Sequence, residues 1–190
     1  MGNIAEIYVK RLEENIAVHE KGRKLASDVE KGANAIVACL KKGGKILLFG
    51  NGGSAADAQH IAAELLGKFK MERKALPAIA LTTNSSVMTA IANDYGYEKI
   101  FSRQVEGLAK KGDVVIGIST SGNSESVVLG LKKAKEMGAF CIGMSGERKA
   151  KIDEVSDICL KVPSTDTARI QEMHIFIGHV ICELAEKETA

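Results

Sequence analysis

From Lys45 onward, short unbroken apolar runs alternate with longer stretches of helical periodicity, and this alternation constrains the fold more than any other feature of the chain. The runs are Lys45–Phe49, Ala78–Thr82, Val114–Ser119, Phe140–Met144 and Ile158–Val162. Between them the spacing predicts helices over Ser54–Phe69, Ser85–Asn93, Ile100–Ala109, Ser124–Met137 and a short one near Ala150–Val155, with a last long helix over Ala168–Lys187. A strand that is apolar at every position is buried on both faces. Helical crossovers return the chain in the same direction, so the pattern predicts an α/β fold built on a doubly wound, five-stranded parallel sheet. Both prolines, Pro77 and Pro163, lie beside a strand.

Residues 3 to about 42 precede this pattern and read as helix. Ile4, Ile7, Tyr8, Leu12 and Ile16, then Leu25, Val29, Ala33, Ile36, Val37 and Leu40, recur at helical spacing, with Gly22 and Gly32 expected to break or loosen it. Such an arm packs either on its own domain or on another subunit. With 190 residues and no linker, repeat or low-complexity segment, the chain is expected to be one domain. It divides into a helical arm over 1–42 and an α/β core over 43–190.

Charge and composition exclude several partners. Lys and Arg number 26 against 24 Asp and Glu, for a net charge of +2, with the signs interspersed. No basic block or aromatic-basic stripe is present, so nucleic acid is not expected as a partner. No apolar run approaches the ~18–20 residues that span a bilayer. The opening Met1-Gly2-Asn3-Ile4-Ala5-Glu6 lacks a signal-peptide core and the Ser/Thr that myristoylation needs, so the expected compartment is the cytoplasm. Cys141 and Cys159 fall in strand-like runs, Cys39 and Cys182 in helical ones, and no CxxC pair occurs; buried reduced thiols are expected.

In parallel sheets ligands bind beyond the carboxyl ends of the strands, and two of those ends are unusual. After the first strand comes Gly50-Asn51-Gly52-Gly53-Ser54, running straight into a helix. Glycines let backbone approach a ligand, and a helix start offers free N–H groups and a positive dipole end. Gly50-x-Gly52-x-x-Ala55 fits a relaxed dinucleotide fingerprint, but the second strand ends Thr82-Thr83-Asn84, without the acidic residue that holds a ribose. A P-loop fails as well, because no Lys-Ser/Thr pair follows the glycines. After the third strand comes Ser119-Thr120-Ser121-Gly122-Asn123-Ser124, again entering a helix. One hydroxyl suffices for an N-cap; four in six residues form a donor set for a phosphate. Neither loop carries Lys or Arg, which suits a monoester.

These segments, together with Gln59-His60 and Glu64, Ile91-Ala92-Asn93-Asp94 and Arg169-Ile170-Gln171-Glu172, resemble the sugar isomerase (SIS) fold family, and within it the phosphoheptose isomerase branch. The similarity runs from about residue 40 to the end, and the N-terminal arm also fits. The resemblance implies a flavodoxin-like sheet and conversion of sedoheptulose 7-phosphate to an aldoheptose 7-phosphate, for ADP- or GDP-heptose biosynthesis. It implies substrate contacts at Asn51, Gly52, Gly53, Ser54, Asn93 and Asp94, with Ser119, Thr120, Ser121 and Ser124 on the phosphate. It further implies a Zn2+ ion held by His60, Glu64, Gln171 and His179, with Glu64 and His179 the proton-transfer pair and Gln171 and Glu64 also touching substrate. Homotetramers with sites at subunit interfaces are the family habit. A sister branch instead binds the bacterial replication initiator, and others sense phosphosugars; that branch lacks the Glu64 and His179 equivalents, which this chain has.

The residues themselves are compatible with the chemistry. His60 and Glu64 are four apart on the helix opened by the glycine loop and share a face. Gln171 and His179 are eight apart, a rise of ~12 Å, so one straight helix barely brings both to one ion; a ligand from a neighbouring subunit is the preferred expectation. Periodicity leaves His174 and His179 undistinguished, and only the resemblance selects His179. Some family members carry Asp immediately before the Arg-Ile-Gln stretch, where this chain has Ala168, with Asp166 close by.

Overall fold

The computed structural model describes residues 3–189. Strands β1 (Ile46–Gly50), β2 (Ala78–Ala80), β3 (Val114–Ile118), β4 (Phe140–Gly146) and β5 (Ile158–Val162) form one all-parallel sheet in the order β2-β1-β3-β4-β5. The order reverses between β1 and β3, which pair over five residues from Ile46↔Val114 to Gly50↔Ile118. That junction is the switch point where a doubly wound sheet opens a crevice.

The continuous apolar runs serve two cores at once. Ile46 and Leu48 of β1 join one cluster with α2 (Ala26–Lys41), α3 (Gly53–Leu66) and α8 (Thr167–Thr189). Leu47 and Phe49 join a second cluster with α5 (Ile100–Leu108), α6 (Glu125–Glu136) and the short α7 (Ile152–Val155). All four side chains are fully buried, each contributing ~1.5–3 kcal/mol relative to exposure, so neither face of β1 tolerates a polar replacement. The edge strand departs from the pattern. β2 ends at Ala80 although the run reads on to Thr82, and Ile79 stays 39% exposed, lining an open cavity with residues of the helices over 85–95 and 100–108.

The arm is two helices, not one. α1 (Ile4–Gly22) passes through a tight 3-10 turn over Arg23–Leu25 into α2, so Gly22 does mark a break. Gly32 does not; it lies buried in the middle of α2, facing Ile142 of β4. The first helix of the core also stops early: α3 ends at Leu66 where periodicity extends it to Phe69. The guanidinium of Arg73 donates to the carbonyls of Glu64, Leu65 and Gly67, taking the groups a further helical turn would need. All four cysteines are free, three buried and Cys159 half-buried, and burial pushes Cys141 and Cys182 up to about 12. No described helix is long and apolar enough to cross a membrane.

Candidate active site

Both oxyanion loops flank the β1/β3 switch point. Gly52 holds φ +55° and ψ −121°, a conformation that a side chain reaches only under strain, and it turns the chain from β1 into α3. Asn51 is locked in place: its amide donates to Ser126 Oγ at 3.0 Å, and the Tyr97 hydroxyl donates to its Oδ1 at 2.9 Å. The Tyr97 bond ties the loop to the turn after α4 (Ser85–Tyr95), whose last residues include the exposed Asn93 and Asp94, hydrogen-bonded to each other at 2.8 Å.

In the serine loop, Ser124 stands at the N-cap position of α6 yet makes no capping bond. Its hydroxyl instead accepts from Ser119 Oγ at 3.0 Å, and Ser119 Oγ lies 3.4 Å from Ser121 Oγ. Three hydroxyls converge on one another and not on the helix, which an ordinary cap does not explain. Ser119 is buried and Ser121 exposed, so the cluster grades from core to solvent. The Thr120 carbonyl accepts from the N–H of Gly146 at 3.0 Å, bracing the loop against the end of β4.

A second group of polar side chains lies two to three turns along α3. His60 Nε2 is 3.0 Å from His179 Nε2 and 3.3 Å from a Glu64 oxygen, and the three donor atoms lie within 4.8 Å of one another. α3 and α8 run parallel: Gly53 meets Gln171 at one end, and Ile61 meets Gly178 further along. Gly178 allows the close approach, since a Cβ there would sit 2.6 Å from Ile61 Cδ1. Its neighbour His179 is thereby brought onto the His60 face. Phe69 stacks on the other side of the His179 ring, with centroids 5.4 Å apart and 13° between planes. Two imidazole nitrogens and a carboxylate oxygen this close together match in kind the donors that a divalent transition metal takes.

Comparison with known proteins places the chain in a family. Residues 8–146 match the SIS domain family model. A phosphoheptose isomerase of Aquifex aeolicus is 58% identical over 162 residues, 85% of each chain, and one of Clostridium acetobutylicum is 50% identical over 188 residues, 99% of this chain and 96% of that one. The solved phosphoheptose isomerase of Neisseria gonorrhoeae superposes with a TM-score of 0.92 at 42% identity, covering 97% of this chain and all of that one.

The chain belongs to the phosphoheptose isomerase family of SIS-domain proteins.

Within this phosphoheptose isomerase framework the remaining side chains separate clearly. Gln171 does not join the His60–Glu64–His179 group; its amide lies against Gly53, where a Cβ would collide with it. The three clustered residues come from one chain, and Gln171 stands apart at the glycine-loop end of the α3–α8 pair. His174 is not part of the group either. It is fully buried with Nε2 3.3 Å from the Ser145 carbonyl oxygen, and burial pushes it down to about 4, so it is a neutral core residue. Asp166 caps α8: one carboxylate oxygen accepts from the N–H groups of Arg169 and Ala168, which holds its pKa below the ordinary value. One oxygen of its carboxylate is therefore committed to the helix start. Ser54, at the start of α3, is buried.

Asp57 was not singled out by sequence. It is buried one turn before His60, with Oδ2 unpartnered, and it lines a cavity of about 300 Å³ with Ala168, Gln171, Glu172 and Ile175. Desolvation pushes it up to about 6, opposed by the positive charge that His60 can carry. The signal was present at i−3 from His60: an acid on the helix face that otherwise carries Ala58, Ile61 and Ala62 inward.

Proposed function

We propose that the chain interconverts sedoheptulose 7-phosphate and D-glycero-D-manno-heptose 7-phosphate through an enediolate. The observation that carries this is the meeting of Glu64 and His179, from two helices, in one group beside His60. The serine loop gives the other end of the substrate a place. Ser119, Thr120, Ser121 and Ser124 hold the phosphate, while Asn51, Gly52, Gly53, Ser54, Asn93, Asp94 and Gln171 contact the sugar chain. The clustered side chains stand about 10–16 Å along α3 from its start, a separation that suits a long, extended sugar phosphate.

The proton bookkeeping closes with two groups. Glu64 takes a proton from C1 of the ketose and returns it to C2; His179 supplies a proton to O2 and accepts one from O1. His60, Glu64 and His179 would hold a zinc ion, with a fourth donor, Gln171, supplied by a neighbouring copy of the chain because its own amide rests against Gly53. When bound, such an ion supplies Lewis-acid stabilisation of the enediolate oxygens. A carboxylate has two oxygens, so Glu64 could hold the ion with one and act as base with the other, while His179, holding the ion through Nε2, would have to move its protons at Nδ1.

The proposal includes a homotetramer with sites at its interfaces, and the arm supports association of this kind. Ile4, Ile7, Tyr8, Leu12 and Ile16 of α1 are 46–81% exposed, and an apolar groove of about 540 Å³ lies between α1, α2 and α8. The cytoplasm is the proposed compartment, with the product feeding ADP- or GDP-heptose and lipopolysaccharide synthesis. Non-catalytic phosphosugar or initiator binding is disfavoured because it would need neither Glu64 nor His179. Incubation with sedoheptulose 7-phosphate and zinc, followed by NMR, should show the aldoheptose 7-phosphate accumulating, and Glu64→Gln should abolish it. No turnover, or an unaffected Glu64→Gln enzyme, sinks the proposal.

A further inference from the structure

The geometry points to the buried Arg73–Glu186 pair, acting with Phe69, as the device that positions Glu64 and His179. This inference rests on the reading above that those two side chains carry the reaction. Arg73 and Glu186 are 2% and 1% exposed and lie 3.1 Å apart. A buried ion pair is poor evidence of stabilisation, because desolvation offsets its attraction. Here Arg73 Nε is also left without a partner, an added cost. What the pair accomplishes is placement.

Arg73 grips the end of α3. Its Nη2 donates to the carbonyl of Glu64 itself at 2.8 Å, and Nη1 donates to Leu65 and Gly67 at 2.8 and 2.9 Å. Glu186 lies two turns beyond His179 on α8 and accepts from the N–H groups of Phe69, Lys70 and Met71 at 2.7, 2.8 and 3.2 Å. The segment between α3 and β2 is therefore hung between the two helices that bear the site. Phe69 is laid flat on one face of the His179 ring, whose edge contact with His60 has centroids 5.1 Å apart and 77° between planes. Held between the two, the imidazole keeps Nε2 turned toward His60 and Glu64. Partners behind site residues of this kind commonly alter metal affinity or activity by about 10–100-fold.

The test uses the full chain and four variants: Phe69→Leu, Phe69→Tyr, Glu186→Gln and the double variant Arg73→Met/Glu186→Leu. Each is measured for kcat, KM, thermal midpoint and zinc affinity by competition with a chromophoric chelator. Phe69→Leu should lower kcat and zinc affinity about tenfold or more with KM within about twofold, and Phe69→Tyr, which keeps the stack, should restore both. Glu186→Gln should lose activity and stability together. The double variant leaves no unpaired buried charge, so it should recover part of the thermal midpoint lost in Glu186→Gln while kcat and zinc affinity stay low. Wild-type kcat and zinc affinity in Phe69→Leu, or return of activity along with stability in the double variant, would overturn the inference. Glu64→Gln separates the two levels: if it is inactive the catalytic reading stands whatever Phe69 does, and if it is active that reading falls while the zinc arm still reports on positioning.

Discussion

Gly178→Ala tests whether the closeness of α3 and α8 sets the site. A methyl at this position would lie 2.6 Å from Ile61 Cδ1 and 2.7 Å from Cγ1, against about 3.5–4.0 Å for relaxed carbon contacts. Ile61 is 1% exposed and packed within the α3–α8 core, so it has little room to withdraw. Overpacking of this size costs about 1–3 kcal/mol, while alanine in a helix interior regains about 0.8–1 kcal/mol over glycine. The net expectation is a destabilisation of up to about 2 kcal/mol, with weaker zinc binding because His179 is pushed away from His60. Ile61→Val removes the Cδ1 methyl and alone should cost about 0.5–1.5 kcal/mol. Together the two changes should cost clearly less than their sum, because each relieves the other. Urea unfolding of the four metal-free proteins gives the coupling energy directly. Additivity within error, or a Gly178→Ala protein with undiminished zinc affinity, refutes the argument.

Three further outcomes follow from the site. Burial raises Asp57 from 3.8 to about 6, so the folded state holds that proton more tightly than the unfolded chain. Its stability contribution is intact below pH ~4 and is lost as pH rises through about 6; Asp57→Asn in the metal-free protein should therefore gain up to ~3 kcal/mol at pH 7 and little at pH 4, and equal gains at both would contradict the desolvation account. Ser119→Ala removes a buried member of the hydroxyl cluster and should raise KM for the phosphorylated sugar about 10–100-fold, the worth of one hydrogen bond to a charged group, without a comparable loss in kcat. Asp166→Ala should lower the thermal midpoint by a few degrees and leave kcat unchanged; a large fall in kcat would mean that the carboxylate does more than cap α8.

The sheet was legible because its strands are buried on both faces: a run such as Ile46-Leu47-Leu48-Phe49 has no polar side to disguise it. β2 is shorter than its run because it pairs with β1 only over Ala78–Ala80, and an apolar run does not record where a ladder to a distant strand ends. The serine loop was legible as a donor cluster, although the turning of Ser124 away from its own helix is a tertiary fact. His60 and Glu64 were visible as an i, i+4 pair, whereas His179 had the same periodic standing as His174 until α3 and α8 were packed together. Nothing local distinguishes a histidine next to a glycine that fits under Ile61 from one directed into the core. Asp57 and the Arg73–Glu186 pair were missed for the same reason, since burial of a charged side chain is decided by neighbours far away in sequence.

The direction of α3 has a consequence of its own. Its peptide dipoles leave partial positive charge at the glycine loop and partial negative charge at the Glu64 end, where Arg73 already sits on the free carbonyls. An anion is favoured at one end of this rod and a cation at the other. If the phosphate sits on the serine loop as proposed above, the positive pole at the start of α3 lies on the same side of the sheet, beyond the ends of β1 and β3, and favours that anionic end of the substrate over the reverse orientation. The backbone of α3 would then add to the polarity of the site without any side chain taking part.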